Sequence, residues 1–424
     1  MGVKMVQRLL LVLFISSLIS ASCASQKKAV AQQSTVEVQP APTILKDTVV
    51  PVKNVVKEEI QRTPYTVRLL LPLRLEEHFA NDTLPDQPLI YDNTLSALHF
   101  YLGALAAVDS LKNLPVDLHV EVVDVSGDSI ALVNKLKQKA FKNADLALSF
   151  LPAQFLDVAI AASAAANCQL VIQGGSNTQL AAKYPNIWLA TPANSTQLGM
   201  MSEYLFKENP NSDFLVFTRK LRSENVLANY IASRLDSLAG KKVCRLVEYN
   251  KDTWETTQKS FPKSKRIHVI IPTQDESYLQ AILNKFKAMD PEYLFHLIGL
   301  PSWENFESVD PTLLAEYQTT IFNGLHIDVD HPVSRKFRKA FIDLNHADAQ
   351  PQAYQAYDLL TYFVSNYAEH GKNYSSYQAK TTFELPAKGL QFSPVCNGCG
   401  YENSSLNILR YWDFRLSRVA EFQR

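Results

Sequence analysis

From Tyr65 onward the chain alternates short strand-like segments, most of them largely apolar, with longer segments of helical pattern. In the first half the strand-like segments are residues 67–71, 116–123, 146–150 and 170–172, and the helical patterns lie at residues 93–111, 129–140 and 153–166. Strands that are apolar on both faces are typical of parallel sheets covered by helices on both sides. We therefore predict an α/β fold with right-handed crossovers.

A second series of the same kind follows. It has helical patterns at residues 197–208, 223–238 and 278–289, and strand-like segments at residues 214–217, 242–247, 267–271 and 294–298. The 424 residues also exceed the roughly 250–300 at which a single hydrophobic core stops growing. Both observations predict two α/β lobes.

Composition excludes several classes of function. The chain has 42 basic and 42 acidic residues, which argues against a strongly basic nucleic-acid binder. It has 13 glycines where average usage would give about 30, which disfavours glycine-rich phosphate loops. We predict no nucleotide or other cofactor.

The first 22 residues have the pattern of a secretory signal. Lys4 and Arg8 precede an apolar run that is too short for a membrane span of about 20 residues, and small residues then lead to Cys23. A cysteine at this point resembles a bacterial lipobox, in which the thiol is acylated. Because Ser20 stands where the lipobox usually has Leu, a plain signal peptide with an unmodified cysteine is the alternative.

Residues 24–64 are rich in Gln, Ser, Thr, Val, Lys and Pro and show no sustained period, which predicts a flexible tether after Cys23. Such a coil spans about 35 Å on average and roughly 140 Å at full extension. Ala24 and Ser25 lack the acidic residue that commonly retains lipoproteins in the inner membrane. We expect a periplasm-facing lipoprotein of the bacterial outer membrane, anchored by its lipid.

Six segments are informative by their order and spacing: HFYLGALAAVDSLKN, AFKNADLALSFLPAQ, PNIWLATPANSTQ, HVIIPTQDESYLQAILNKF, FHLIGLPSWEN and AYQAYDLLTYF. Together they resemble the type 1 periplasmic binding proteins, the Leu/Ile/Val-binding-like substrate-binding family of ABC transporters. The resemblance implies two Rossmann-like lobes with parallel sheets, joined by a hinge that the chain crosses several times. Lobe one would comprise residues 65–193 and 327–385, and lobe two residues 194–326 and 386–424, with Pro192 and residues 328–330 at the hinge.

Candidate ligand-binding residues follow the strands, because open parallel sheets bind ligands outside the carboxyl ends of their strands. In lobe one these are Ser149, Gln173, Gly175, Ser176 and Asn177. The glycine allows close backbone approach, and the polar side chains suit a carboxylate or hydroxyl. The alternative is that the Gly-Gly-Ser-Asn segment is only a turn.

In lobe two the matching positions include Thr218, Thr273 and Trp303. The Trp303 ring would stack on a ligand, or else pack within its own lobe. The resemblance implies that amino-acid binders hold the ligand's carboxylate by lobe-one hydroxyls and its ammonium by a lobe-two acid. Ser149 and Ser176 fall near the hydroxyl positions, but no lobe-two acid aligns, which counts against an amino-acid ligand.

The sequence contains none of the common hydrolase, zinc-protease, Walker or dinucleotide-binding motifs. Its nine histidines are not spaced as a helical metal pair. For Cys396 and Cys399 a local disulfide, half a zinc site and a redox motif compete, and we favour the disulfide because a second zinc-binding pair is absent. We expect neither catalysis nor a metal.

These observations predict an envelope lipoprotein that binds a small polar ligand, such as an amino acid, a peptide or a wall fragment, in a cleft between two lobes. The alternative is a regulator or scaffold that has kept the fold and docks a cell-envelope protein such as a peptidoglycan synthase. No nucleic-acid partner is expected.

Overall fold

We describe a computed structural model of the chain, which covers residues 62–78, 91–174, 177–219, 221–249, 252, 254–263, 265–376, 384–387 and 389–424. The predicted signal sequence, Cys23 and the predicted tether up to residue 61 lie outside the described residues. So do Gly175 and Ser176.

The described strands form two seven-stranded sheets. In chain order the strands are β1 Thr63–Leu71, β2 Val116–Asp124, β3 Leu146–Ser149, β4 Gln169–Ile172, β5 Ile187–Leu189, β6 Phe214–Thr218, β7 Cys244–Glu248, β8 Arg266–Ile270, β9 Leu294–Gly299, β10 Thr320–Asn323, β11 Phe392–Pro394, β12 Tyr401–Asn403, β13 Ser405–Trp412 and β14 Arg415–Gln423.

The helices lie between these strands. They are α1 Leu75–His78, α2 Asp92–Leu111, α3 Ser129–Gln138, α4 Leu156–Ala165, α5 Thr178–Lys183, α6 Asn194–Glu208, α7 Arg222–Ala239, α8 Trp254–Lys259, α9 Glu276–Lys287, α10 Pro311–Glu316, α11 Pro332–Asn345 and α12 Pro351–His370. Short 3-10 turns occupy Ala153–Phe155, Pro301–Asn305 and Gly371–Ser376.

The sheet of lobe one has the order β11-β12-β5-β4-β3-β1-β2, and its pairs are parallel except β11 with β12. Successive residues of β1 enter different cores: Leu69 and Leu71 pack with α2 and α12, whereas Leu70 packs in the cluster that contains α3 and α4. A strand buried on both faces has no polar alternation, which explains the apolar run of residues 69–71 in β1.

The sheet of lobe two has the order β14-β13-β10-β9-β8-β6-β7, with β13 antiparallel to both neighbours and the other pairs parallel. The predicted α/β class with two Rossmann-like lobes is therefore the observed one.

Helix α2 is the one helix in the described part of the chain that is long and apolar enough to cross a membrane. It lies in the core of lobe one instead, where Ala97, Phe100 and Ala104 are fully buried. A Cβ on Gly103 would lie 2.1 Å from the carbonyl oxygen of Ala353. The absence of that Cβ lets α2 and α12 approach each other closely.

The chain crosses between the sheets three times: after β5, after β10 and between β12 and β13. The last crossing corrects one expectation, because residues 386–424 were expected to add strands to lobe two. Only β13 and β14 join that sheet, whereas β12 pairs with β5 of lobe one and β11 pairs with β12. The tail therefore completes both lobes.

Side chains of the last crossing connect the segments at the hinge. The Glu402 carboxylate accepts a 2.6 Å hydrogen bond from the backbone N–H of Ala193, the residue that precedes α6. The Asn403 amide donates to the carbonyl oxygens of Ala190 and Gly389. The first and last crossings are thus held together by buried polar groups.

Candidate functional site

A cavity of about 610 Å³ opens at the carboxyl ends of the lobe-one strands. The loops after β1 to β4 line it, together with the amino-terminal turn of α12. Its polar lining consists of Arg74, Asn93, Ser126, Ser129, Ser149, Gln154, Gln173, Gln352 and Gln355. Its position is the one at which open α/β sheets bind ligands.

Two of the predicted residues meet in this cavity with unused hydrogen-bonding groups. Ser149 is the last residue of β3 and only 3% exposed, and its hydroxyl has no partner among the described residues. Gln173 follows β4, and both its amide nitrogen and its amide oxygen are buried and unpartnered in the described part of the chain. Buried polar groups are nearly always hydrogen-bonded, so such a cluster is unusual.

The sequence did not single out Gln352, although it lines the same cavity. Its amide oxygen is also buried without a partner among the residues that the structure describes. Gln352 comes from the start of α12, more than 170 residues after Gln173 in the chain, and no local pattern relates the two. Ser126, in contrast, lies two residues after the end of β2. It could have been found by the rule that ligands bind at the carboxyl ends of the strands, which identified Ser149.

The carboxylates near the cavity already have partners. Asp124 accepts hydrogen bonds from the N–H groups of Leu73, Leu75 and Ser126 and from the Ser126 hydroxyl. Burial raises the pKa of Asp124, but these hydrogen bonds outweigh it and leave the pKa below its usual value. Asp128 caps α3 by accepting from two N–H groups.

Arg74, the one cation among the described residues that line the cavity, is also engaged. Its guanidinium forms two hydrogen bonds with Glu77, at 2.9 and 3.0 Å, and lies 4.6 Å from the centre of the Tyr91 ring. The Arg74 guanidinium therefore already has an acidic partner at the cavity wall.

Asn177 has a structural contact of its own. It is exposed, and its side-chain oxygen caps α5 by accepting from the N–H of Gln179. It is not among the residues that line the cavity.

At the carboxyl ends of the lobe-two strands the polar groups bond to one another. Arg219 pairs with Glu224 at 2.6 Å and with Asp275 at 2.8 Å, and its hydrogen bond is the main cause of the lowered pKa of Asp275. The predicted site residue Thr273 is fully buried and donates its hydroxyl to Glu224 at 2.7 Å. The Thr218 hydroxyl donates to Asn225. These groups hydrogen-bond to one another and so leave few free groups for a ligand on the lobe-two side.

Trp303 does not form the predicted stacking surface. It is fully buried in the core of lobe two, and its indole N–H donates to the carbonyl oxygen of Thr273 at 2.9 Å. The chain turns back after β9, and the ring lies over Gly299, where an added Cβ would come within 2.3 Å of it. The alternative given above, packing within its own lobe, is the one observed.

The cysteines fall into two kinds. Cys396 and Cys399 form a disulfide in the loop between β11 and β12. Cys168 and Cys244 are free and buried, and burial is the main cause that raises the pKa of each thiol to about 12. No group of three or more potential metal ligands occurs among the described residues.

Two α/β lobes with three crossings, and a polar cavity at the carboxyl ends of the strands, define a two-lobed binding-protein fold of the type 1 periplasmic class. No protein-family model and no curated protein match the sequence. Solved structures do match the fold.

One similar structure is a putative branched-chain amino acid ABC transporter protein from Rhodospirillum rubrum, with a TM-score of 0.59 and 10% identity, covering 84% of this chain and 100% of that one. Another is an ABC transporter substrate-binding protein from Desulfitobacterium hafniense in complex with Leu, with a TM-score of 0.50, 13% identity and the same coverages. A third is the C-domain of LpoA from Haemophilus influenzae, a regulator of PBP1A, with a TM-score of 0.53, 14% identity and again 84% and 100% coverage. At these identities the similarity is one of fold.

Proposed function

We propose that this chain is a non-catalytic envelope lipoprotein that binds a small polar ligand, such as an amino acid, a peptide or a wall fragment, in the cleft between its lobes. The observation that carries the proposal is the pair of buried, unpartnered polar side chains, Ser149 and Gln173, in a cavity of about 610 Å³. Leaving such groups unpaired costs about 1–3 kcal/mol each, and a ligand would supply the missing partners.

The lobes would be residues 65–193 with 327–385, β11 and β12, and residues 194–326 with β13 and β14. Closure would be a rotation about the three crossings, which is a common response to ligands in two-lobed proteins.

A thermal-shift screen tests the binding function. Amino acids, short peptides and muropeptide fragments are added to the purified chain, and a ligand at about 100 times its Kd should stabilise the protein by about 2.7 kcal/mol. The shift should shrink in Ser149→Ala and persist in Ser233→Ala, whose hydroxyl lies on the exposed side of α7 in lobe two. A complete screen without any shift would refute the binding function.

A second candidate function is a regulator that docks an envelope protein such as a peptidoglycan synthase. The closed Arg219, Glu224, Asp275 and Thr273 network favours it, because lobe two then offers few free groups to a ligand. The similar fold of the LpoA C-domain agrees with this candidate. Its test is glycan polymerisation by the purified synthase of the same organism, with and without this chain. An unchanged rate and no co-sedimentation of the two proteins would reject it.

We further propose that Cys23 carries the lipid and that the protein resides in the outer membrane. Cys23→Ala should then leave the precursor unprocessed or move the protein to the soluble fraction, since acyl chains supply the anchor. Density-gradient separation of the two membranes tests the location. Cleavage and membrane fractionation that do not change in Cys23→Ala would disprove the lipoprotein assignment.

A further inference from the structure

The unused groups in the lobe-one cavity indicate what kind of ligand would satisfy them. Gln173 presents an amide nitrogen that needs an acceptor and an amide oxygen that needs a donor. The Ser149 hydroxyl can serve either role, and the Gln352 oxygen needs a donor. A ligand that fits must therefore offer donors and acceptors side by side.

The charges around the cavity decide against a carboxylate. The N–H groups of Leu73, Leu75 and Ser126 already donate to Asp124 and are therefore not available to an anion. The amino terminus of α3 is capped by Asp128. The positive end of that helix is thus already matched by a negative charge.

Arg74, the cation that lines the cavity among the described residues, does not offset these negative charges. Arg74 is paired with Glu77 and stacked on Tyr91. Lys135 donates to the backbone carbonyl oxygen of Asp124 at 2.7 Å but does not line the cavity. A free carboxylate in the cavity would therefore lie near Asp124 and Asp128 without a free cation among the described lining residues to pair with it. Like charges in close proximity disfavour ionisation, and here they disfavour an anionic ligand.

We infer that the cavity takes an uncharged ligand bearing an amide, such as an N-acetyl or peptide group, rather than the zwitterionic end of a free amino acid. The amide of the ligand would pair with the amide of Gln173, donor to acceptor on each side, and Ser149 and Gln352 would hold neighbouring polar atoms. This inference rests on the proposed ligand-binding function and narrows its ligand class.

The test compares matched probes by ligand-observed NMR and calorimetry on the whole mature chain. N-acetyl-L-leucinamide and L-leucine share a side chain and differ in charge, and N-acetyl-D-glucosamine carries the acetamido group on a sugar. We expect at least one of the two uncharged probes to bind at least tenfold more tightly than L-leucine. Gln173→Leu should weaken that binding at least tenfold.

Control variants separate recognition from folding. Gln138→Leu removes an exposed glutamine at the end of α3, on the wall of a different cavity, and should bind as the parent does. If Gln173→Leu does not fold, Ser149→Ala, which removes a single oxygen, replaces it as the test variant. Circular dichroism of each variant verifies the fold.

Each outcome bears on a different claim. If L-leucine binds as tightly as the uncharged probes or more tightly, the ligand class is wrong and the binding function stands. If an uncharged probe binds equally well to the parent, Gln173→Leu and Ser149→Ala, the assigned residues are wrong. If none of the three probes binds while the broad thermal-shift screen finds another ligand, the inference fails alone; if that screen is also empty, the proposed binding function fails as well.

Discussion

Ser149 and Trp303 both lie at or just after the carboxyl end of a buried strand, but their side chains have different surroundings. Ser149 ends β3 and lines the cavity, whereas Trp303 lies in the turn after β9 and enters the core of lobe two. The residue that separates the two cases is Gly299, which leaves space for the indole ring. At this strand end the glycine is what permits the aromatic ring to pack inward.

Trp303→Ala should therefore reduce stability by about 3–5 kcal/mol, because it removes a fully buried ring and a hydrogen bond. Urea unfolding measures the change. Trp412→Ala is the matched control: its ring is 72% exposed, so the free energy of unfolding should change by less than about 0.5 kcal/mol. Similar losses in both variants would contradict the core assignment of Trp303.

The buried pair His268 and His296 predicts sensitivity to acid. The two Nδ1 atoms are 3.0 Å apart, and burial is the main cause that lowers the pKa of His268 to about 4 and that of His296 to about 3. In the unfolded chain both would titrate near 6.5. The unfolded state thus binds more protons below pH 6.5, and stability falls as the pH drops from about 6.5 towards 4.

At about 1.36 kcal/mol for each pKa unit, His268 alone accounts for a loss of roughly 3 kcal/mol over this range. Denaturant unfolding between pH 7 and pH 4 tests this. The double variant His268→Gln, His296→Gln should lose the part of the pH dependence that the pair contributes, while carboxylates elsewhere keep theirs. An identical pH profile in the parent and the double variant would argue against a neutral buried pair.

The hairpin of β13 and β14 turns through two residues in the left-handed region. Asp413 has φ of 49° and Phe414 has φ of 60°, a conformation that favours Asn or Gly. Phe414 is 62% exposed, so its ring adds little packing. Phe414 is therefore an unfavourable residue at this turn position, where its ring does not contribute to the core.

Phe414→Gly should stabilise the protein by about 1 kcal/mol, since the left-handed conformation costs a residue with a Cβ roughly 1–2 kcal/mol and glycine has a larger entropy loss on folding. Phe414→Ala keeps the Cβ and is the control that should show no gain. Thermal unfolding of the three proteins distinguishes them. A gain in Phe414→Ala equal to that in Phe414→Gly would mean that the ring, not the backbone, is unfavourable.

Among the elements, those with a long apolar run were predicted from the sequence and the shortest were not. β1, β3 and β8 each overlap a predicted strand, whereas β5 and β12, with three residues each, show no period at all. Short strands are held by their neighbours in the sheet rather than by their own composition. Their presence depends on contacts between distant segments, which local pattern does not encode.

At the level of the entire protein, the buried Glu402 holds the first crossing against lobe one. Its carboxylate accepts from the N–H of Ala193, the residue that precedes the lobe-two helix α6, and from the hydroxyl of Thr178 in lobe one. Glu402→Ala should lower stability by about 1–3 kcal/mol, because it leaves a buried N–H group unpaired. Glu402→Gln keeps an acceptor oxygen and should cost less. Urea unfolding of both variants measures this, and equal losses would show that packing rather than hydrogen bonding matters at the crossing.

The two-lobe architecture was predictable because the alternation of strands and helices occurs twice along the sequence. The difference between the strand ends of the two lobes was not. Whether the Thr273 hydroxyl is free depends on Arg219, Glu224 and Asp275, which bond to one another only once the segment after β6 and the segment after β8 have come together. Residue types at strand ends indicate where a site can form. They do not indicate which of its polar groups are already hydrogen-bonded to neighbouring side chains.

The last strands of the chain also determine when each lobe can be finished during synthesis. Until β12 and β13 have been made, β5 in one sheet and β10 in the other have an unpaired edge. Exposed edges of this kind recruit strands from other chains and promote aggregation. A ribosome or an export channel that delivers the amino terminus first therefore releases two incomplete lobes, and both are closed by the final segment, residues 392–423.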